Sequence, residues 1–450
     1  MKHIRIGSGA GFAGDRLEPA LELIEKGNLD YIGFECLAER TIALAQQEKA
    51  KDQDKGYNPL LEYRMEQVLP MAWKNKVKVI TNMGAANPIS AAKKCLAIAK
   101  AHGCYGMKIA AVTGDDVLEK LNAYQNTEIW ETHRPLKELQ GTIVSANAYL
   151  GAEGIIQALS DGADVIITGR VSDPSLFMAP ILYEFGWKEE DWEKMGKATQ
   201  VGHLLECAGQ VCGGYYADPG KKDVPDLARI GFPIAEVTED GKIFITKVEG
   251  SGGIVTVDTC TEQMLYEVQD PCSYLTPDVT ADFSSVSFVQ AGPDRVEALG
   301  ASGGPRPDKL KVSIGYKDCY IGEGEISYGG ANCYARALLA REILQERITN
   351  IRKLPVDELK IDLIGVNALY RYEEHDLPFS PHEIRVRAAA RTKDPETAAQ
   401  IGEEVESLYT NGPAGGGGAV KKVTEVLSVA SMLIRREDAV PKITILEVSE

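Results

Sequence analysis

The sequence predicts an α/β protein in which repeated βα units form a mainly parallel sheet and an α+β region follows. Short apolar segments alternate with amphipathic helical patterns, and each apolar segment ends in a polar loop that contains glycine. This rhythm stops near Asp191. We therefore predict two domains within the 450 residues: a βα-repeat domain over 1–190 and an α+β domain over 191–450.

Six apolar segments of the first domain are predicted strands: Ile4–Ser8, Tyr31–Cys36, Val77–Asn82, Met107–Val112, Thr142–Ala146 and Val165–Thr168. The helical patterns between and after them cover Glu39–Gln47, Ile89–His102, Glu153–Asp161 and Ser175–Phe185. Right-handed crossovers bring the carboxyl ends of parallel strands to one edge, where ligands bind in both open sheets and barrels. The pattern fits an open doubly wound sheet or part of a barrel.

The second domain mixes helices and short strands. Predicted elements are the helix Lys194–Val211, the hairpin of Ile234–Val237 and Ile243–Thr246, the helix Ala335–Arg347, the strands Lys360–Leu369 and Glu383–Arg391, and the helices Pro395–Leu408 and Val420–Ser431.

Composition excludes several classes of function. A net charge of -17 disfavours binding to nucleic acid. The chain has no apolar run of the length of a signal peptide or membrane span, so we expect a cytoplasmic protein. Nine scattered cysteines without a Cys-x-x-Cys pair argue against a disulfide framework and a structural zinc site, and fit reduced thiols.

The first loop, Gly7–Arg16, contains a G-x-G-x-G pattern but not the full dinucleotide fingerprint, so an NAD site is disfavoured. We predict that this loop binds an anion or carboxylate, because glycine lets backbone N–H groups approach a ligand. The residues concerned are Gly9, Gly11, Asp15 and Arg16. The alternative is a tight turn that needs positive φ.

Polar residues follow the other predicted strands: Glu35, Asn82, Asn147, Arg170 and Asp173. Glu35 lies in an apolar stretch, where a carboxyl acquires a perturbed pKa suited to acid–base catalysis. Asn82 and Asn147 are predicted to hold a carboxylate or carbonyl, and Arg170 to clamp a carboxylate. Asp173 is a catalytic candidate. The structural alternatives are an ion pair or helix cap for Glu35 and a helix N-cap for Asp173.

His203 and Glu206 lie one helical turn apart, so both side chains can face the same way. The pair suits a base with its orienting partner, and His203 is therefore a catalytic candidate. A metal site would need further ligands from elsewhere, and none is predicted. A structural histidine is the alternative.

A second glycine-rich loop, Asn411–Gly418, precedes the predicted helix Val420–Ser431. Amides at a helix N-terminus favour a phosphate or carboxylate, which makes Asn411, Gly415 and Gly416 candidate binding residues. The loop lacks the Lys-Ser/Thr ending of an ATP-binding P-loop. The alternative is a flexible linker or lid.

Five segments resemble the acyclic terpene utilisation AtuA family, formerly a domain of unknown function: Arg5–Asp15, Tyr31–Glu39, Thr81–Pro88, Ile167–Asp173 and Asn411–Gly418. The resemblance implies a place in degradative pathways that use CoA thioesters. It also implies that short members, which lack the C-terminal ferredoxin-like domain of longer ones, work with a separate small ferredoxin-like polypeptide. Since this chain ends at Glu450 without room for that domain, we expect such a partner.

The resulting hypothesis is a catabolic enzyme or enzyme subunit that acts on a carboxylate or acyl-CoA by lyase or hydratase chemistry. Glu35 would be the acid–base residue, and the chain would form a homo-oligomer. The sequence has no NAD or ATP motif and leaves the cofactor open, and a CoA thioester is a candidate substrate. One alternative is a non-catalytic subunit, which would have large apolar patches and no buried carboxylate. Another is a metal-dependent hydrolase built on His203 and Glu206.

Overall fold

The computed structural model describes residues 2–370 and 379–450. The strands, in chain order, are β1 (His3–Ala10), β2 (Tyr31–Phe34), β3 (Lys78–Thr81), β4 (Lys108–Thr113), β5 (Glu128–Ile129), β6 (Arg134–Pro135), β7 (Thr142–Ala148), β8 (Val165–Thr168), β9 (Pro233–Thr238), β10 (Ile243–Lys247), β11 (Tyr274–Leu275), β12 (Thr280–Asp282), β13 (Ser287–Gly292), β14 (Arg295–Leu299), β15 (Ser302–Gly304), β16 (Lys309–Gly329), β17 (Glu358–Ile364), β18 (Glu383–Thr392), β19 (Gly417–Arg435) and β20 (Lys442–Glu447).

The α-helices are α1 (Glu18–Lys26), α2 (Glu39–Lys51), α3 (Leu61–Asn75), α4 (Pro88–Ala101), α5 (Glu153–Ser160), α6 (Ser175–Phe185), α7 (Trp192–Leu205), α8 (Val257–Leu265), α9 (Cys333–Glu346), α10 (Pro395–Glu406) and α11 (Leu408–Asn411). Within the described ranges, no helix combines the length and apolar character needed to cross a bilayer.

The chain forms two compact units. The first contains Met1–Leu139, Ile143–Gly315 and Val429–Glu450, and the second contains Gln140–Thr142 and Tyr316–Ser428. The first unit therefore holds the βα-rich region together with the residues that follow it up to Gly315.

The main sheet has the strand order β13-β14-β10-β9-β1-β2-β3-β8-β4-β20. Its central strands, β1, β2, β3, β8 and β4, pair in parallel, and the strands on either side pair antiparallel. This arrangement confirms the predicted α/β class. The order has two ends, so the sheet is open and is not part of a barrel.

Helices cover both faces of the parallel centre. Ile32 and Phe34 of β2 belong to a buried apolar cluster that includes residues of α1, α3 and α4. Between them, Gly33 points to the other face, where a Cβ atom would lie 2.4 Å from the ring of Phe177 in α6. The loops after β3 and β8 thus lead to helices on opposite faces, and such a divergence between neighbouring strands opens a crevice at their carboxyl ends.

Five of the six predicted strands form the parallel centre. The remaining predicted strand, Thr142–Ala146, is present as β7. The prediction that it belongs to the parallel sheet is wrong, because β7 pairs with β16 in another sheet. In this pairing Ser145 Oγ accepts a hydrogen bond from the backbone N–H of Gly315, 3.2 Å away. The predicted hairpin is confirmed as β9 and β10, which pair antiparallel from Val237 opposite Ile243.

The second unit contains the order β16, α9, β17, β18, α10, β19, with a sheet in the order β17-β18-β16-β19. This succession and strand order define the split βαβ, or ferredoxin-like, arrangement. Its apolar cluster combines residues of α9 and α10 with residues of β16, β17 and β18. The unit thus builds its own core.

The predicted helix Val420–Ser431 is wrong, because these residues lie in strand β19. Val420, Val423 and Val426 recur every third residue and so imitate one face of a helix. The segment contains four valines and one threonine, and β-branched side chains favour strands. With no helix after the Asn411–Gly418 loop, the predicted helix N-terminus for an anion does not exist.

Candidate active site

A cavity of about 720 Å³ opens in the first unit beside the carboxyl ends of β1 and β2. Its walls come from the loop after β1, the segment between β2 and α2, Asp173, the residues that follow α7, and the residues that follow α8. Carboxyl side chains dominate its polar lining: Asp15, Glu35, Glu39, Asp173, Glu206 and Glu267. Apolar groups such as Phe12, Leu37 and Phe232 complete the walls.

Glu35 follows β2 directly and lines this cavity, although it is only 8% exposed. Its Oε1 atom accepts two hydrogen bonds, from the backbone N–H of Leu37 at 2.9 Å and from Asn82 Nδ2 at 2.8 Å. Both donors use the same oxygen, so Oε2 is the oxygen left for a ligand.

Burial raises the pKa of Glu35 well above its ordinary value, and the nearby charge of Asp173 raises it further. Arg170 and the two hydrogen bonds oppose this rise without cancelling it. The folded protein therefore favours the protonated form more than water does for a free glutamate. Because Oε1 is occupied as an acceptor, the proton belongs on Oε2, where a bound molecule can receive it.

Asn82 follows β3 and joins the ends of two neighbouring strands. Its Oδ1 accepts from the backbone N–H of Cys36 at 2.7 Å, while its amide donates to Glu35. Asn82 is fully buried and does not line the cavity. In this geometry it orients the carboxyl of Glu35.

Arg170 follows β8 and is 1% exposed. Its guanidinium donates to Asp173, to the carbonyl oxygen of Leu37 and to that of Val171, the last at 2.8 Å from Nε. It also lies 4.6 Å above the ring of Tyr149. Arg170 is absent from the cavity wall, and its donors bind protein groups. It holds Asp173, which does line the cavity, in place.

Asp115, after β4, is a buried carboxyl that the sequence analysis missed. Its Oδ2 accepts from Asn147 Nδ2 at 2.8 Å and from the backbone N–H of Arg170 at 2.9 Å. Burial raises its pKa to about 6. Asn147 is itself 1% exposed and does not line the cavity, so its partner is Asp115. The sequence could have indicated Asp115 as a candidate, because it follows the predicted parallel strand β4.

Glu39 is a second missed residue of the cavity wall. Burial opposes its ionisation, but the hydrogen bond from Tyr149 and the charges of Lys311 and Arg170 outweigh this and lower its pKa to about 2. Lys311 Nζ lies 3.3 Å from Glu39 Oε1. The cavity therefore combines two carboxyl groups of opposite tendency: the pKa of Glu39 is lowered, which favours its ionised form, and that of Glu35 is raised, which favours its protonated form.

Gly7 and Gly9 of the predicted first loop lie in strand β1, and Gly11 directly follows it; these glycines serve close packing. The loop does contain a turn, in which the backbone N–H of Asp15 donates to the carbonyl oxygen of Phe12 at 3.2 Å. None of Gly7, Gly9, Gly11 and Gly14 has positive φ, so the alternative is wrong only in requiring it. A Cβ atom on Gly9 would lie 2.5 Å from the ring of Phe34, and one on Gly11 would lie 2.4 Å from the backbone of Cys207. The absence of a side chain at Gly11 lets the loop approach the segment that carries Glu206.

Replacing Gly11 with alanine should destabilise the protein by about 1–3 kcal/mol, because the new methyl group must displace backbone. Chemical denaturation of Gly11→Ala measures the loss. Gly304→Ala is the matched control, since a Cβ atom there meets nothing within 4 Å. Its midpoint should stay near that of the parent, and equal midpoints for both variants would contradict the packing role.

Asp15 and Arg16 both line the cavity. The carboxyl of Asp15 accepts from the backbone N–H of Gly11 at 2.6 Å, and burial raises its pKa. Arg16 donates to the carbonyl oxygens of Leu227 and Ala228 at 3.4 and 3.2 Å. The loop amide of Gly11 is thus occupied by Asp15, and anion binding by this loop stays a prediction.

His203 and Glu206 adjoin the same cavity, which only Glu206 lines. Nδ1 of His203 lies 2.8 Å from Oε1 of Glu206. Burial opposes a charged imidazole, but the carboxylate outweighs it and raises the pKa of His203. Across the part of the chain that the structure describes, no group of three or more His, Cys, Asp or Glu side chains is placed to hold a metal ion.

The Asn411–Gly418 loop belongs to the second unit. Arg336 Nη1 donates to the carbonyl oxygen of Ala414 at 2.7 Å, and Gly415 and Gly418 have φ of +74° and +65°. Asn411 Nδ2 donates to the carbonyl oxygen of Ser407 at 3.1 Å. Ligand binding by Asn411, Gly415 and Gly416 stays a prediction.

Comparison with known proteins identifies the family to which this chain belongs. The family model described as "Acyclic terpene utilisation family protein AtuA" matches residues 4–445, nearly the whole chain. The protein belongs to the AtuA family. No curated protein and no solved structure matches the chain. The description of the AtuA family indicates a role in acyclic terpene utilisation, and the chemical step has to be inferred from the cavity.

Proposed function

We propose that this AtuA-family chain is a catabolic enzyme of lyase or hydratase type, which moves a proton at the carbon next to a carbonyl group. One observation carries the proposal: Glu35 is a buried carboxyl with one oxygen fixed by Leu37 and Asn82 and the other left for a ligand. A carboxyl whose pKa is raised towards the working pH can both give and take a proton.

The charge of the cavity favours an acyl thioester over a free carboxylate as the substrate. Six carboxyl side chains line the cavity, and Arg16 is the one cation among its described lining residues. The buried Arg170 already donates to Asp173 and to two carbonyl oxygens. A carboxylate ligand would meet six carboxyl side chains with only Arg16 among the described lining residues to offset them, whereas a thioester carbonyl is neutral.

The alternatives fit these observations less well. A non-catalytic subunit would need no buried carboxyl at a cavity, and Glu35 is one. A metal-dependent hydrolase needs further donors beside His203 and Glu206, and the described residues place none there. A small ferredoxin-like partner and a homo-oligomeric state stay proposals. The side chains that the proposed chemistry uses all belong to this chain.

The proposal is tested with acyclic, branched acyl-CoA thioesters in saturated, 2,3-unsaturated and 3-hydroxy forms, and with their free acids. The purified chain is incubated with each compound in D2O, and products are analysed by mass spectrometry. We expect deuterium at C2 of the thioesters and interconversion of the unsaturated and hydroxy forms. Free acids should react at least about tenfold more slowly, equivalent to 1.4 kcal/mol.

Heat-unfolded protein provides the blank for spontaneous exchange of the activated thioesters. If the folded chain gives neither exchange nor interconversion above this blank with any thioester, the proposed function is wrong. Equal rates for acids and thioesters would overturn the assignment of substrate class and leave the reaction type standing.

A further inference from the structure

Glu206 is held by a histidine at the back of the cavity. His203 lies in α7 and Glu206 directly follows the helix, one turn away, with 2.8 Å between Nδ1 and Oε1. The imidazole is fully buried. Its ring packs against Tyr274 and Phe283, with centroids 5.4 and 6.0 Å away, and this packing sets its orientation. Neither ring nitrogen has the geometry of a hydrogen bond to a described residue, so the contact with Glu206 is an ion pair.

The second oxygen of Glu206 has no protein partner. Oε2 is buried and accepts no hydrogen bond from any described residue, and the residue is 7% exposed at the cavity wall. A buried carboxyl oxygen without a partner is unfavourable, because it has lost its hydrogen bonds to water and gained none from the protein. A water molecule or substrate group that reaches this oxygen from the cavity would satisfy it.

We propose that Glu206, oriented by His203, is the second acid–base residue of the cavity and activates the water that adds to the substrate. This inference rests on the proposed function, for which it supplies the residue that handles water. Glu206 is the catalytic residue because it lines the cavity. His203 is a positioning residue because the carboxyl separates it from the ligand.

The addition step balances as follows. Glu206 takes a proton from water as the water oxygen forms a bond to C3 of a 2,3-unsaturated thioester. The electron pair of the double bond moves towards the carbonyl, and C2 receives the proton of Glu35. The product is the 3-hydroxy thioester. Glu206 is left protonated and Glu35 ionised, so one proton must return from the first to the second.

Asp173 is placed to assist this return. Its charge raises the pKa of Glu35 and also that of Glu206, although burial is the larger cause in both. Asp173 lines the same cavity and is fixed by Arg170. A chain of three neighbouring carboxyls can share protons, whereas isolated ones would each depend on bulk water.

The test separates exchange at C2, which needs Glu35, from net water addition, which needs both carboxyls. The 3-hydroxy and 2,3-unsaturated thioesters are incubated with Glu206→Gln in D2O. We expect exchange at C2 of the 3-hydroxy thioester within about threefold of the parent, and interconversion reduced by about 100-fold. His203→Gln should show the same split with a smaller loss, about tenfold.

Interconversion at the parent rate by Glu206→Gln would overturn this inference, while exchange in the parent would still support the proposed function. Absence of exchange in the parent would remove both. Glu262→Gln is the matched control, because Glu262 also pairs with a cation, Lys222 at 2.5 Å, but lies outside the cavity wall with a side chain that is 44% exposed. It should retain both activities. If His203→Gln fails to fold, Glu206→Gln alone decides.

Discussion

Glu35→Gln should lower the rates of both C2 exchange and interconversion by about 10²–10⁴-fold, the usual contribution of a general acid–base residue. The substitution is nearly isosteric. Glutamine can still accept at Oε1 from the backbone N–H of Leu37 and from Asn82, so the local fold should persist. What it loses is the exchangeable acidic proton on the side of the cavity.

The pH dependence of the same variant gives an independent check. The pKa of Glu35 is raised by burial, so the carboxyl is neutral below that pKa and ionised above it. Proton donation by the parent should therefore decline as the pH rises through the raised pKa of Glu35. The residual activity of Glu35→Gln should lack this decline.

Two results would show that Glu35 is structural. One is a parent-like rate in Glu35→Gln, and the other is a loss of rate that merely follows a loss of folded protein in thermal unfolding. Glu22→Gln is a suitable control, since Glu22 is a partly exposed carboxyl paired with Lys26 at 3.0 Å and lies outside the cavity wall. It should leave both rates unchanged.

The location of the site was predictable because it depends on local patterns. Parallel strands must share an edge, so residues that follow β2, β3 and β8 had to come together. Glu35, Asn82 and Arg170 do so in the structure. The apolar surroundings of Glu35 in the sequence also predicted a perturbed pKa, which its burial explains.

The structural role of each side chain was not predictable from the sequence, because it depends on contacts between residues that are far apart in the chain. Arg170 was predicted to clamp a ligand, whereas its partners include the carbonyl of Leu37, 133 residues away. Asn147 was predicted to hold a ligand, whereas its side-chain amide donates to Asp115, a residue that belongs to no recognised sequence motif. Spacing alone also could not show that Glu206 would line the cavity and His203 would not.

Replacing Arg170 with methionine should destabilise the first unit by about 1–3 kcal/mol for each buried acceptor that loses its donor, whereas the Asp173 side chain is 38% exposed and can be solvated. The guanidinium is 1% exposed, and its loss leaves the carbonyl oxygens of Leu37 and Val171 without these donors. Asp173 would also lose its ion-pair partner. Denaturant unfolding, followed by a probe in the first unit, measures the change.

Arg229→Met is the matched control, because Arg229 also pairs with an aspartate three residues away, Asp226 at 2.8 Å, but its side chain is 82% exposed. Exposed pairs contribute about 0–1 kcal/mol, so this variant should unfold near the parent midpoint. Similar losses of unfolding free energy in the two variants would mean that burial does not determine how much Arg170 contributes to stability. A large loss of stability for Arg170→Met alone would establish that this arginine stabilises the cavity wall. It would do so through its contacts with Asp173 and with the carbonyl oxygen of Leu37.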